Sequence, residues 1–193
     1  MTTYIAFLRA VNVGGHAVVK MEALRDAFTA SRCHNVRTYI QSGNVVFESS
    51  VGEPLILRKL QTQLRSLLGV EPGIFMRTLE EVALLVARNP FREFQGESKI
   101  KLYVAFLAEA PRVKPQFPLL LPKEGLEASG MSGREVFVVS RPNASGFYGF
   151  PNNFIEKELR LSATSRNWNT VTKIVKFAQS TRTSTAEQGV RKV

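Results

Sequence analysis

The stretch YIAFLRAVNVGG, residues 4–15, decides how this chain folds. Its first five residues are β-prone and apolar on both faces, which predicts a strand in the middle of a sheet. Asn12–Gly15 then end the strand in a loop. From Lys20 to Ser31, apolar residues recur at the spacing of one face of an amphipathic helix. The chain is therefore predicted to begin with a strand, a loop and a helix.

A predicted hairpin follows this unit. In RTYIQSGNVVF, residues 37–47, two β-prone runs flank Gln41–Asn44, whose glycine and asparagine suit a tight turn. Leucines at helical spacing predict a second helix that ends at Gly69, and Ile74–Arg77 predict a fourth strand. The order β-α-β-β-α-β is that of the ferredoxin-like split unit, which we predict for residues 1–78.

The rest of the sequence predicts a smaller second α+β subdomain over residues 79–180. Its first helix begins at a capping box formed by Thr78 and Glu81 and ends at Asn89-Pro90. Further predicted elements are strands at 100–107, 125–129 and 135–140, an irregular proline-rich segment at 111–122, a helix at 153–161, and a last helix after 163–170. Residues 181–193 lose the apolar pattern and are predicted to be disordered. The predicted fold class is α+β, with the ferredoxin-like subdomain packed against this second one.

The predicted topology brings two polar turns together. Right-handed crossovers make the first two strands parallel and place the third strand antiparallel between them. The end of strand one and the turn between strands two and three then share one edge of the sheet. The residues predicted to meet there are Arg9, Asn12, Gly14, Gly15, Gln41, Ser42 and Asn44. Two interpretations are open. These residues form only the hydrogen bonds that the backbone of the two turns needs, or they bind an anionic ligand through backbone N–H groups and amide side chains.

A second polar cluster lies at the start of the last helix. Asn167 or Ser165 supplies an oxygen that can cap the helix N-terminus, and Trp168 is expected to anchor the helix in the core. The alternative is a site for a phosphate group or a base. The candidate residues are Arg166, Asn167, Asn169, Thr170 and Lys173, with Lys176 beside them.

The net charge of +10 favours anionic partners. Residues 1–99 carry 12 basic and 9 acidic side chains, and residues 100–193 carry 14 and 7, so most of the excess lies in the second half. The candidate partners are a nucleic acid or a phosphorylated small molecule. Electrostatics alone does not distinguish between them, because both offer phosphate groups.

The composition argues against metal and cofactor chemistry. Asp26 is the single aspartate, and His16 and His34 are the two histidines. This is too few for the carboxylate sites that hold Mg²⁺ or the His and Cys sites that hold zinc. Cys33 and His34 are adjacent in sequence, which gives no triad geometry. No metal or cofactor is therefore predicted, and the sequence does not identify a catalytic residue.

Two nucleotide-recognition motifs are incomplete in the first half. The segment Gly14–Met21 lacks the second glycine before the lysine and the Ser or Thr after it that define a Walker loop. The basic-glycine-aromatic run of an RRM is also missing. Phe7 and Phe47 are therefore assigned to core packing.

The sequence also predicts the compartment. No apolar run approaches the ~20 residues that a membrane span needs, and the first residues show no signal-peptide pattern. A single cysteine fits a reducing environment. We expect a cytoplasmic protein that does not enter a membrane.

Several of these motifs together resemble a known family. The similarity to domain-of-unknown-function family 1697 is carried by Tyr4–Gly15, Lys20-Met21, Val36–Phe47, Phe154–Leu159 and Ala163–Val171. The resemblance implies a two-subdomain α+β fold, the first subdomain ferredoxin-like, in small bacterial cytoplasmic proteins, and it implies no activity. Relatives often carry a Ser/Thr-Lys pair where this chain has Tyr148-Gly149, which weakens the transfer of a phosphate site to that loop.

Two functions of different classes are compatible with these observations. The first is a non-catalytic module that binds an anionic ligand through the turn edge and the start of the last helix. The second is a metal-independent enzyme with its site in the cleft between the subdomains. There Arg9 or Arg166 would act as the electrophile, and a tyrosine or glutamate as acid or base.

Overall fold

The computed structural model describes residues 1–9, 11, 19–40 and 43–189, with side chains described as far as Ser180. The chain divides into two compact units. Unit 1 consists of Met1–Leu84 and Thr172–Val193, and unit 2 consists of Leu85–Val171. The predicted break at residue 78 lies close to the first of these boundaries. The last helix, however, contributes to unit 1, whereas the sequence had assigned it to the second subdomain.

Strands and helices alternate in the first half of the chain, and strands predominate in the second. The strands are β1 (Thr2–Arg9), β2 (His34–Thr38), β3 (Asn44–Ser49), β4 (Gly73–Thr78), β5 (Lys101–Leu107), β6 (Leu119–Leu121), β7 (Leu126–Ser132), β8 (Glu135–Ser140) and β9 (Ala163–Asn167). The helices are α1 (Met21–Ala30), α2 (Glu53–Leu68), α3 (Leu79–Arg88), α4 (Asn152–Leu159) and α5 (Trp168–Gly189).

The sheet of unit 1 has the strand order β2-β3-β1-β4, and every neighbouring pair is antiparallel. Strand β3 therefore lies between β1 and β2, as the crossover argument predicted. With α1 after β1 and α2 after β3, this order agrees with the predicted split βαββαβ arrangement. Gly69 ends α2 in the left-handed conformation, and its N–H donates to the carbonyl of Arg65.

Strand β1 is buried on both faces, which explains why its sequence is apolar without alternation. Tyr4 stacks on Phe47, and both belong to the core that packs against α1 and α2. Phe7 pairs with Asn44 across the sheet and points to the opposite face, because side chains alternate along a strand. Phe7 and Phe47 are fully buried, so their assignment to the core is confirmed. They do not form a paired aromatic surface.

Helix α5 is hydrogen-bonded to the edge strand β2 within unit 1. The guanidinium of Arg37 donates to the carbonyls of Phe177 and Ala178 at 3.1 and 3.3 Å, and it lies 4.6 Å from the centre of the Phe177 ring. Helix α5 spans Trp168–Gly189, and the disorder predicted for residues 181–193 stays a prediction.

Unit 2 contains a second antiparallel sheet, with the strand order β6-β7-β8-β5-β9. One face of this sheet packs against Phe154 and Ile155 of α4. Strands β6 and β9 were not predicted. The sequence of β9, ATSRN, is polar, and it forms a strand because it pairs with β5. Within the described part of the chain, no helix combines the length and apolar character needed to cross a bilayer.

Candidate functional site

The end of β1 and the β2–β3 turn meet at one edge of the unit 1 sheet. The backbone N–H of Leu8 donates to the carbonyl of Gly43 at 2.7 Å. Gly43 has φ +69°, and a Cβ there would lie 3.1 Å from Leu8 Cβ and 3.2 Å from Val11 Cβ. A glycine lets the turn adopt this backbone and approach β1 so closely. The predicted meeting of the two segments is confirmed for these described residues.

Asn44 and Arg9 occupy this edge in different ways. Asn44 is fully buried, and its amide donates to the carbonyl of Tyr39 at 3.3 Å, while Tyr39 N–H donates to the Asn44 carbonyl at 2.9 Å. Asn44 therefore holds the turn in shape. Arg9 is half-buried and pairs with Gly73 of β4. A Cβ at Gly73 would come within 2.8 Å of Arg9 Cβ, so Arg9 passes directly over that backbone.

The remaining predicted residues of this edge lie outside the described residues. They are Asn12, Gly14, Gly15, Gln41 and Ser42. Their role as ligand-binding groups stays a prediction. Leu8 and Gly43, which are described, lie close to the points where the two loops leave the sheet.

The start of α5 is built as a helix cap within unit 2. The Asn167 side-chain oxygen accepts a hydrogen bond from Asn169 N–H at 3.0 Å, so Asn167 is the capping residue. Ser165 is buried in β9 instead, and its hydroxyl has no hydrogen-bond partner among the described residues. Trp168 packs edge-on against the buried Phe91 with ring centres 5.3 Å apart, which confirms its anchoring role.

Arg166 is held against its own strand. Its Nη1 donates to the Thr164 hydroxyl and to the Ser165 carbonyl, both at 3.0 Å. Burial lowers the pKa of Arg166 to about 10, because a charged guanidinium loses hydration there. At neutral pH it stays protonated. A cation with reduced hydration interacts more strongly with an anion that reaches it.

The other predicted residues of this cluster differ in exposure. Asn169 is exposed and Thr170 is half-buried, both in the first turn of α5. Lys173 and Lys176 are exposed on the part of α5 that belongs to unit 1. Solvent therefore reaches the Asn169 side chain and the two lysines.

A third surface was not assigned from the sequence. In unit 2 the loop between β8 and α4 carries Phe147, Tyr148 and Phe150, and two of these rings are largely exposed: Phe147 at 63% and Phe150 at 50%. Lys101 Nζ lies 4.3 Å from the centre of the Tyr148 ring. In the sequence, this surface is indicated by three aromatic residues within one predicted loop. Their relation to Lys101 requires the pairing of β5 with β8.

The Tyr148-Gly149 departure from related sequences has a structural explanation. Gly149 N–H donates to the Glu124 carbonyl at 3.1 Å. A Cβ at position 149 would lie 2.5 Å from that oxygen and 2.9 Å from Leu126 Cγ. A lysine does not fit this position with the present backbone, so Gly149 serves close packing of the loop.

Two cavities lie within unit 1. The first, about 400 Å³, is lined by Thr2, Thr3, Thr78, Glu80 and Gln179, among others. The second, about 350 Å³, is lined by Ser31, Arg32, Lys59, Thr62 and Gln63, with Ala30. Polar and apolar groups line both cavities, and neither includes a residue predicted from the sequence to form a site.

The described residues offer no metal centre and no activated thiol. Their His, Cys, Asp and Glu side chains form no group of three or more placed to hold an ion. Cys33 is buried in unit 1, and burial raises the pKa of its thiol to about 12, although Lys59 acts in the opposite direction. A thiol with this pKa is protonated at neutral pH and is a poor nucleophile.

These features define a two-unit α+β protein with two antiparallel sheets. The chain belongs to the family described as "Protein of unknown function (DUF1697)", whose profile matches residues 1–137. A solved structure with a similar fold is that of the conserved bacterial protein SP0830 from Streptococcus pneumoniae. The alignment has 20% identity and a TM-score of 0.63, and it covers 93% of this chain and 99% of the other. No curated protein matches the chain.

Proposed function

We propose that this protein is a basic, non-catalytic binding module for a ligand that carries phosphate groups, either a nucleic acid or a phosphorylated small molecule. Its main site is the edge formed by Asn12–Gly15 and Gln41–Asn44, with Arg9 beside it. The start of α5, from Arg166 to Thr170 together with Lys173, is a secondary site.

The observation that supports this proposal is the hydrogen bond from Leu8 N–H to the Gly43 carbonyl. This hydrogen bond joins the ends of two loops that contain glycine, at one edge of the sheet and next to Arg9. Successive backbone N–H groups in such loops form concave sites for anions. The net charge of +10 attracts anions over longer distances.

The start of α5 receives weaker support. Asn167 already accepts the N–H of Asn169, and Arg166 already donates to its own strand. An anion at this helix would have to bind the remaining N–H groups of the first turn, near the exposed Asn169 side chain. For this reason we rank it second.

No specific observation favours the enzyme hypothesis. Burial raises the pKa of Tyr103, which makes it a weaker acid at neutral pH. Tyr103 packs against Phe150 and lines neither of the two cavities. A binding function accounts for the described geometry without an acid–base pair.

The proposal is tested with three defined probes: inorganic pyrophosphate, AMP and a labelled single-stranded RNA. Calorimetry and fluorescence anisotropy are measured over a series of salt concentrations. We expect binding that weakens as salt rises, because phosphate contacts release counterions. Arg9→Ala should weaken binding about tenfold, since a hydrogen bond to a charged group contributes roughly 1.5 kcal/mol.

The matched control is Arg58→Ala, which removes an exposed arginine from α2 of the same unit. Equal losses for Arg9→Ala and Arg58→Ala would show that only net charge matters. Absence of binding to all three probes would overturn the proposed function. Lys173→Ala tests the secondary site, which is rejected if affinity and salt dependence are unchanged.

A further inference from the structure

The loop between β8 and α4 carries exposed aromatic side chains. Phe147 and Phe150 are 63% and 50% exposed. Exposed apolar groups that cluster, instead of occurring singly, usually mark a binding surface. Here Phe147, Tyr148 and Phe150 lie on one short loop, and Tyr148 and Phe150 contact side chains of β5.

Lysines accompany these rings. Lys101 Nζ lies 4.3 Å from the centre of the Tyr148 ring, within the range of a cation–π contact. The Tyr148 hydroxyl donates to the Lys99 carbonyl at 3.1 Å. The Phe150 ring meets Tyr103 edge-on at 5.6 Å. Together with Phe147 of the same loop, these residues are called the aromatic platform: Lys99, Lys101, Tyr103, Phe147, Tyr148 and Phe150.

The loop that carries the platform is held rigidly. Asn143 folds it through hydrogen bonds from Ser145 N–H and Phe147 N–H to its side-chain oxygen, both at 3.0 Å. The buried Ser140 hydroxyl donates to the Gly149 carbonyl at 2.9 Å. The exposed rings are therefore positioned before any ligand arrives, which lowers the entropy lost on binding.

The charges near the platform favour an anionic partner. Lys99 and Lys101 are exposed, and the carboxylate of Glu97 is bound by Arg141 at 3.1 to 3.2 Å. A surface that binds another protein through exposed aromatic residues is expected to be apolar and to lack flanking lysines. Alternating rings and cations are instead typical of surfaces that bind single-stranded nucleic acid, where bases stack on rings and cations contact phosphates.

We propose that the aromatic platform of unit 2 binds single-stranded nucleic acid. A base stacks on Phe150, and Lys99 and Lys101 contact the flanking phosphates. Phe147 offers a further ring on the same loop. This site belongs to the other unit from the Arg9 edge and relies on stacking, so it does not depend on the function proposed above.

The test measures anisotropy of fluorescein-labelled oligothymidylate and oligouridylate of roughly 16 nucleotides, the upper site size of comparable modules. The full-length protein is compared with the double variant Phe147→Ala/Phe150→Ala and with Lys101→Gln. We expect the double variant to lose about tenfold or more in affinity at any salt concentration. Lys101→Gln should lose less and reduce the salt slope by about one.

Matched controls remove similar groups elsewhere in unit 2. Leu120 is 60% exposed and Lys114 is exposed, so Leu120→Ala and Lys114→Gln test loss of apolar surface and loss of charge away from the platform. Both should bind like the unsubstituted protein. Thermal unfolding by circular dichroism shows whether each variant is folded, and Tyr148→Phe serves as a milder change that keeps the ring.

Four results would overturn the proposal. The first is absence of binding to both oligonucleotides, and the second is an equal loss of affinity in platform and control variants. The third is binding of polyglutamate as tight as that of the oligonucleotides at equal salt, which would show attraction to charge without stacking. The fourth is a loss of affinity confined to Arg9→Ala, which would locate binding at the other unit.

Discussion

At the scale of single residues, Arg37 shows how one side chain joins distant parts of unit 1. Its Nη1 and Nη2 atoms donate to the carbonyls of Phe177 and Ala178, about 140 residues away in sequence. Burial lowers the pKa of Arg37, and the nearby Glu48 acts in the opposite direction. Hydrogen bonds from a charged donor to carbonyl oxygens are stronger than those between neutral groups.

We predict that Arg37→Ala lowers the free energy of unfolding by about 2 kcal/mol, since two charge-assisted hydrogen bonds and a cation–π contact are lost. Arg37→Lys should recover less than half, because an ammonium cannot donate to both carbonyls in the same geometry. Urea unfolding is the measurement. Arg58→Ala, on the surface of α2, is the control and should change stability by less than ~0.5 kcal/mol. Equal effects of the two alanine variants would contradict this role.

Cys33 makes stability depend on alkaline pH. Burial raises the pKa of its thiol from 9.0 to about 12, with Lys59 opposing the shift. The folded state keeps the proton at pH values where the unfolded chain releases it. The contribution of the thiol is therefore complete below pH 9.0 and is lost as pH rises towards about 12.

We expect the stability advantage of the unsubstituted protein over Cys33→Ala to shrink between about pH 7 and about pH 10, by on the order of 1 kcal/mol. Urea unfolding of both proteins at the two pH values measures this difference, in which other titrating groups cancel. A difference that stays constant would show that the thiol ionises normally in the folded state.

At the scale of elements, the beginning of α3 follows directly from sequence. The predicted capping box is confirmed: Glu81 N–H donates to the Thr78 hydroxyl at 3.1 Å, and Thr78 N–H donates to the Glu81 carboxylate at 2.6 Å. Such a motif can be recognised in a sequence because its two partners are only three residues apart. No distant part of the chain is needed to form it.

We predict that Thr78→Ala lowers the free energy of unfolding by about 1 kcal/mol, the usual cost of removing a capping oxygen. Thr78→Ser keeps the oxygen and should cost less than half as much. Thermal or urea unfolding distinguishes the two variants. If both are equally destabilised, lost packing of the threonine methyl group explains the effect better than capping.

Elements that depend on distant pairing were harder to predict. The sheet of unit 1 was predictable because its apolar strands, its helix spacing and its turn residues all agree locally. Strand β9 was missed, since ATSRN has little strand propensity and pairs with β5 some 60 residues earlier. Strand β6, Leu119–Leu121, lies between prolines that predicted irregular structure.

The same distinction applies to the candidate sites. The meeting of Leu8 with Gly43 could be predicted, because crossover handedness alone places strand ends. The aromatic platform could not, because it needs Lys101 of β5 beside a loop more than forty residues later. A single sequence shows that Tyr148 and Phe150 are aromatic, but only the tertiary pairing shows which cations accompany them.

At the scale of the whole molecule, the two units differ in continuity. Unit 2 is one uninterrupted segment, Leu85–Val171, with a core of its own formed by β5, β7, β8, β9 and α4. Unit 1 consists of two segments, one from the beginning of the chain and one from its end. Arg37 of its edge strand β2 and Tyr39, which directly follows that strand, both contact Phe177 of this C-terminal segment. The C-terminal segment is thus part of the structure of unit 1.

This arrangement predicts how fragments behave. A fragment of residues 85–171 should fold alone and unfold cooperatively, because the core cluster between its sheet and α4 lies wholly within it. A chain truncated after Val171 should keep that transition but lose stability in unit 1 by about 2 kcal/mol or more, since the contacts of Arg37 and Tyr39 with α5 disappear. Hydrogen exchange followed by mass spectrometry reports each unit separately. If truncation weakened protection in unit 2 and left β2 unchanged, the C-terminal helix would belong energetically to the other unit.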